Sequence, residues 1–215
     1  STRAVELSSL TGASDTPTLA RQVLVSDVDR HIIFFGANTI GSATQDPMLI
    51  RFGSQESLID FTPTATNTAG DIRLSKGSEI ITAVQTSRQI LVWTDQALYS
   101  MQFVGPPFTF GVSMIGDNTR IAGPNTAVTV NDVVYWMGQE NFYVYDGRIQ
   151  AIPCSVRDYV FNDMNNQQSF KFHAGSIGSQ TEIWWFYCSS SSTEIDRYVI
   201  WNYNEKVWYF GNLVR

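Results

Sequence analysis

Two imidazoles, His31 and His173, set the ceiling on nucleophilic and general-base chemistry in this chain. A serine or cysteine nucleophile needs one of them alongside, oriented in turn by a carboxylate. Both fall at or within apolar runs that read as strands, and no GxSxG elbow marks a nucleophile, so both are read as structural histidines. Four carboxylates, Asp95, Glu140, Asp146 and Glu182, occupy loop or strand-end positions. Glycoside hydrolysis needs two such groups roughly 5–10 Å apart, and the spacing in sequence selects no pair among them. Asp27, Asp29 and Arg30 read as a polar turn. No Walker loop, HExxH motif or sialidase-type Asp box is present. The sequence therefore predicts no catalytic, cofactor-binding or metal-ligating residue, and a protein that is not an enzyme.

Cys154 and Cys188 are too few for a disulfide framework and lack metal-ligand spacing. They are read as buried thiols, with a single bridge as the alternative. The net charge is −6, with a pI near 4.8. Gripping DNA phosphates calls for a basic stripe, and none is visible; nucleic acid would pass this protein without being held. Only 16% of residues are charged while 43% are apolar, and the rings include six Trp, nine Tyr and thirteen Phe. That balance suits large buried or assembled surfaces, the opposite of a disordered chain. No apolar stretch reaches the ~18–20 residues of a membrane span, and no secretory signal opens the chain. The first residue is Ser1, which points to a fragment or a processed product.

The elements that would carry these residues repeat. Short apolar runs begin at Ile32, Ile90, Val133 and Ile183, at intervals of 58, 43 and 50 residues. Each is framed by weaker strand-like segments. Residues 1–20 are Ser/Thr/Gly-rich and read as an arm or loop. Strands are predicted at 22–25, 31–35, 48–52 and 58–61; then at 80–84, 89–93, 97–104 and 108–114. A third set covers 127–130, 133–137, 142–145 and 148–152, and a fourth 171–177, 182–187, 197–203 and 207–210. Asp146-Gly147 is a strong hairpin signal. The polar stretch 62–70 reads as a loop whose threonines bond locally to the backbone. Val156, Tyr159, Val160 and Met164 fall at helical spacing, which predicts one short amphipathic helix at about 155–165.

A repeat of about 40–50 residues with four antiparallel strands is the period of a β-propeller blade. The second strand of each set is apolar at consecutive positions, as in a sheet covered on both faces. The predicted fold is all-β: a propeller-like stack of about four blades spanning 21–213, at roughly 21–63, 79–115, 126–153 and 171–213. A β-sandwich or jelly-roll is the alternative. Trp93, Trp136 and Trp184 are expected in the core. The loops at 105–108 and 62–70 are expected to touch neighbouring molecules, and the Gly123-Pro124 turn is a further contact candidate.

The wording of residues 49–51 and 55–58, 62–81, 90–111 (ILVWTDQALYSMQFVGPPFTFG), 122–154 and 196–211 (DRYVIWNYNEKVWYFG) resembles structural proteins of short-tailed bacteriophages. It is similar to their tail-nozzle or packaged-DNA-stabilisation proteins. That resemblance implies a virion protein of the phage tail, assembled in the host cytoplasm. It implies copies forming a ring, often sixfold, beneath portal and adaptor proteins and around the DNA exit channel. The ring would close the channel over packaged DNA and open for genome exit. The family brings no active-site residues and no cofactor. Its members are generally longer than 215 residues, so missing blades or a platform domain are expected outside this chain. From another class, a glycan-binding or glycan-hydrolysing tail-associated propeller is the alternative. A host propeller presenting a peptide-binding surface is a third, though it lacks the repeated Trp-Asp blade ending.

Overall fold

Runs of β-branched and aromatic residues broken by turn-forming residues become strands because each can bury a ring-rich face against its neighbour. The computed structural model describes residues 4–213. It holds sixteen strands: β1 (Gln22–Val25), β2 (Ile32–Phe35), β3 (Leu49–Phe52), β4 (Gly70–Arg73), β5 (Ile80–Gln85), β6 (Ile90–Thr94), β7 (Ala97–Gly105), β8 (Thr109–Asp117), β9 (Ala127–Val130), β10 (Val133–Met137), β11 (Phe142–Tyr145), β12 (Ile149–Ile152), β13 (His173–Ile177), β14 (Glu182–Tyr187), β15 (Arg197–Asn202) and β16 (Val207–Asn212). They form four four-stranded sheets, each with its strands in chain order, and every adjacent pair is antiparallel. No helix among the described residues is long and apolar enough to cross a membrane.

The chain divides into two compact units, one ending at Asp117 and the next beginning at Asn118, with two sheets in each. In the first unit, Ile33, Phe35, Ile50 and Phe52 share a core with Ala83, Ile90, Val92, Tyr99 and Phe110 of the second sheet. The opposite face of the first sheet is covered separately, by Phe61 and Leu7 against Ile32, Phe34 and Ala37. In the second unit, Met137 and Phe142 join Ile183, Trp185, Tyr187, Val199, Trp201 and Trp208. The ring of Phe142 lies 4.8 Å from Trp185 and 4.7 Å from Trp208. Two of these indoles have somewhere to send the N–H: Trp185 Nε1 donates to Thr126 O at 3.0 Å and Trp208 Nε1 to Pro153 O at 2.8 Å. That is how a ring with one polar corner stays buried.

Turn chemistry sets the hairpins. Val130 pairs with Val133, so only Asn131 and Asp132 make the turn, with φ of 50° and 65°. Two consecutive positive φ values define a type I′ turn, the twist that suits a two-residue hairpin. At Asp146-Gly147 only the glycine turns left-handed, at φ 116°, in a three-residue connection between Tyr145 and Ile149.

Several expectations need correction. Residues 58–61 are not a strand: Leu58 is 58% exposed, and Ser57 Oγ accepts from the backbone N–H groups of Ile59 and Asp60, holding a turn. The fourth strand of the first sheet is β4, which starts at Gly70, the last residue of the expected 62–70 loop, and continues through Asp71, Ile72 and Arg73, for which no strand is predicted. Trp93 and Trp136 are fully buried, but Trp184 is not. Strand β14 alternates, so Ile183, Trp185 and Tyr187 face inward while Trp184 and Phe186 face out. Whereas β2 and β6 are buried at every position, β10 and β14 alternate or nearly so, and coverage of both faces holds only in the first unit. The helix α1 is shorter than expected, at Arg157–Asn162 within 155–165. Of the expected arm, residues 1–3 lie outside the described residues. Ser14 forms a parallel bridge with Asp60, giving this segment a fixed seat.

Trp185→Ala is expected to cost about 3–5 kcal/mol, because it removes a fully buried ring. Trp184→Ala should cost about 1 kcal/mol. Urea unfolding of the two variants checks the assignment.

Candidate functional site

His31 closes one end of the first core. It is fully buried, with its ring 5.1 Å from Phe110 and 5.7 Å from Phe103, and its Nε2 3.1 Å from Thr68 Oγ1. Burial lowers its pKa, against the opposing pull of the Asp29 backbone and charge. The same Thr68 hydroxyl accepts from Gln55 N at 2.8 Å, so the imidazole helps hold the polar loop against the sheet. His173 is exposed and stacks on Phe186 with ring centroids 4.7 Å apart.

The four carboxylates have local partners or open positions. Asp95 accepts from Ser78 N at 2.7 Å, Ser78 Oγ at 2.8 Å and Glu79 N at 3.4 Å. Partial burial raises its pKa, but those hydrogen bonds together outweigh it and hold the carboxyl below its ordinary value. Gly77 is required beside it: φ is 121°, and a Cβ there would lie 2.6 Å from Asp95 Oδ1. Glu182 accepts from Trp184 Nε1 at 2.9 Å, Asp146 accepts from Gln150 Nε2 at 3.3 Å, and Glu140 is exposed beside a hollow lined by Arg120, Gln139 and Tyr143. These groups brace turns and rings. Among the described residues no cluster of three His, Cys, Asp or Glu could hold a metal ion. Cys154 and Cys188 carry thiols and are not bridged; burial pushes the Cys154 thiol up to about 11.

Two further hollows open within single units. One, of about 180 Å³, has Phe103 and Phe110 as its apolar wall and Ser26, Asp29, Arg88 and Gln89 as its polar rim. The other, of about 490 Å³, lies among Tyr135, Val144, Gln150, Pro153, Trp201 and Lys206. Its size falls within the usual range for a small-ligand pocket. The Lys206 ammonium sits 5.8 Å above the Trp201 ring.

The most exposed apolar features lie elsewhere. Strand β6 pairs with β7 only from Leu98 to Met101, so the rest of the β7–β8 hairpin overhangs its sheet. At its tip Phe108 is 76% exposed and Val104 57%, around Pro106 and Pro107. The second feature was missed in the sequence because Trp184 was assigned to the core. Register places His173, Phe186, Tyr198 and Gly211 in one row across the fourth sheet, and Gly175, Trp184, Ile200 and Tyr209 in the next. Trp184 stacks on Tyr198 at 5.2 Å and on Phe186 at 5.9 Å, and a Cβ on Gly175 would meet open space. The aromatics run unbroken from 184 to 187, and it is burial that alternates along β14, which is how this face arises. Stacked, partly exposed rings on a sheet face can receive a flat or apolar partner.

No family model matches the chain, and no curated protein does. Among solved structures it is similar to a candidate exported protein of Bacteroides fragilis, at 12% identity and a TM-score of 0.41. The alignment covers 92% of this chain and 60% of that one, so the chain spans less than two thirds of its length.

Because the folded-state pKa of His31 lies below its ordinary value near 6.5, the unfolded chain binds more protons in mild acid. Stability from this group is complete above about pH 6.5 and falls as pH drops towards the folded value. His31→Asn should remove that part of the pH dependence. Denaturant unfolding at pH 5 and pH 7.5 reads it.

Proposed function

We propose that the chain is a non-enzymatic structural component of a bacteriophage tail, similar in role to the nozzle or DNA-stabilisation ring of short-tailed phages. In this reading its four sheets stack as propeller-like blades. Copies form a ring that contacts portal or adaptor proteins in the virion, closes the DNA channel and lets the genome leave. The resemblance in wording supplies the family. The observation that carries an assembly role is the overhanging β7–β8 hairpin, whose uncharged tip exposes Phe103, Val104 and Phe108 to solvent. Exposed apolar surface of this kind marks contact with another protein. The −6 charge supports passage of DNA without capture, provided the acidic residues line the channel.

A second reading, a glycan-binding tail propeller, is favoured by the aromatic face of the fourth sheet at Trp184, Phe186 and Tyr198. The first is preferred because the apolar hairpin has no part in a glycan site.

Native mass spectrometry should find a multi-copy ring, and co-expression with phage portal and adaptor proteins should recover them together. A strict monomer that cleaves or retains polysaccharide would replace this function with the second.

A further inference from the structure

The end strand of a sheet offers unpaired N–H and C=O groups, and proteins blunt such edges with charge, proline or short length. Eight strands stand at sheet ends here. The four that open their sheets are tied across to one another. Gln22 of β1 bonds to Ala83 of β5, and Ala174 N of β13 donates to Asn125 O, just ahead of β9, at 2.7 Å. Of the four that close their sheets, β4 carries Asp71 and Arg73, with Arg73 held 2.6 Å from Asp46, and β12 has four residues. The strands β8 and β16 have neither protection. From Thr109 to Gly116, β8 holds no charge and no proline, and its terminal Asp117 is paired with Lys76 at 2.6 Å. All six residues of β16 are likewise free of charge and proline. Exposed side chains stud both: Ser113 and Met114 on β8; Val207, Tyr209, Phe210 and Asn212 on β16.

We propose that β8 of one copy pairs edge to edge with β16 of a second copy, so that one sheet continues into the next across the contact. This rests on the ring-forming reading above and names its interface. Length agrees: the regular ladder of β8 runs over 110–114, bounded by two register shifts, against six residues in β16. Charge agrees as well. Copies that each carry −6 repel over most of their surface and meet at least cost where neither strand is charged. Symmetry follows from the two edges being different. The contact is heterologous, running head to tail and closing into a ring when the rotation permits. Pairing β8 with its own copy would leave β16 open.

Sedimentation velocity over a concentration series tests this with the wild-type chain, Ser113→Glu/Met114→Glu, Tyr209→Glu/Asn212→Glu, and a 1:1 mixture of the two variants. The wild type should assemble, and each variant should sediment as a monomer under the same conditions. The mixture should form dimers, since one variant retains β16 and the other β8. Loss of assembly in the β8 variant alone would mean self-pairing and overturn the proposal. Persistence in both would place the contact elsewhere, overturning this interface while leaving the ring reading intact. A wild type monomeric throughout would overturn both. Circular dichroism checks the fold, and Met114→Lys and Tyr209→Lys carry the same test if a double variant loses its β signal.

Discussion

The side-chain amide of Gln22 does the work of a peptide group. Its Nε2 donates to Ala83 O and its Oε1 accepts from Ala83 N, both at 2.7 Å, while Arg21 Nη1 donates to Ile80 O at 3.0 Å. The first sheet is thereby tied to the second at strand β5, although no ladder joins them. The core between them depends on that tie, because Ile33, Ile50, Val92 and Tyr99 can bury their side chains only if the two sheets stay in contact. In the second unit the backbone makes the equivalent link, through the parallel bridge between Asn125 and His173. Opening strand against opening strand is thus the shared rule of both units, achieved once by a side chain and once by the main chain.

A second polar device holds the flank of the first sheet. Arg51 is 1% exposed, and its guanidinium donates to the carbonyls of Asn38 at 3.3 Å, Phe61 at 3.5 Å and Asp15. Burial lowers its pKa while Asp15 and Asp71 pull the other way. A buried cation is costly unless its donors are used, and here they gather three separate chain segments. Asn38 extends the knot: its Oδ1 accepts from Thr18 N and Leu19 N, and its Nδ2 donates to Ser42 O. This centre seats residues 15–19 together with the bonds from Asn38 N to Leu19 O and from Thr62 Oγ1 to Asp15 Oδ2.

Much of this architecture was legible because ring-rich runs and turn residues are local signals. Strands β9, β10, β11 and β14 fall at the residues their pattern predicts. Strand β4 was not legible, because two of its four residues are charged and it is half-buried at an edge, where apolar patterning fades. Leu58 and Ile59 misled for the converse reason: an apolar pair can sit in a serine-braced turn. Trp184 and Trp185 adjoin in sequence and face opposite ways, so composition alone could not choose between them, while the alternation along β14 could. The candidate surfaces were half legible. Residues 105–108 announced an exposed turn through Gly-Pro-Pro, but the aromatic rows of the fourth sheet arise from cross-strand register, which no single segment displays.

The thiols bear on how such an assembly would be held together. Cys154 stays protonated at neutral pH, and Cys188 lies beneath the surface; a protonated or hidden sulfur is a poor nucleophile. Neither thiol is thus placed to react readily with the sulfur of a neighbouring molecule. In an assembly of this chain, contacts other than sulfur bonds would have to join one molecule to the next.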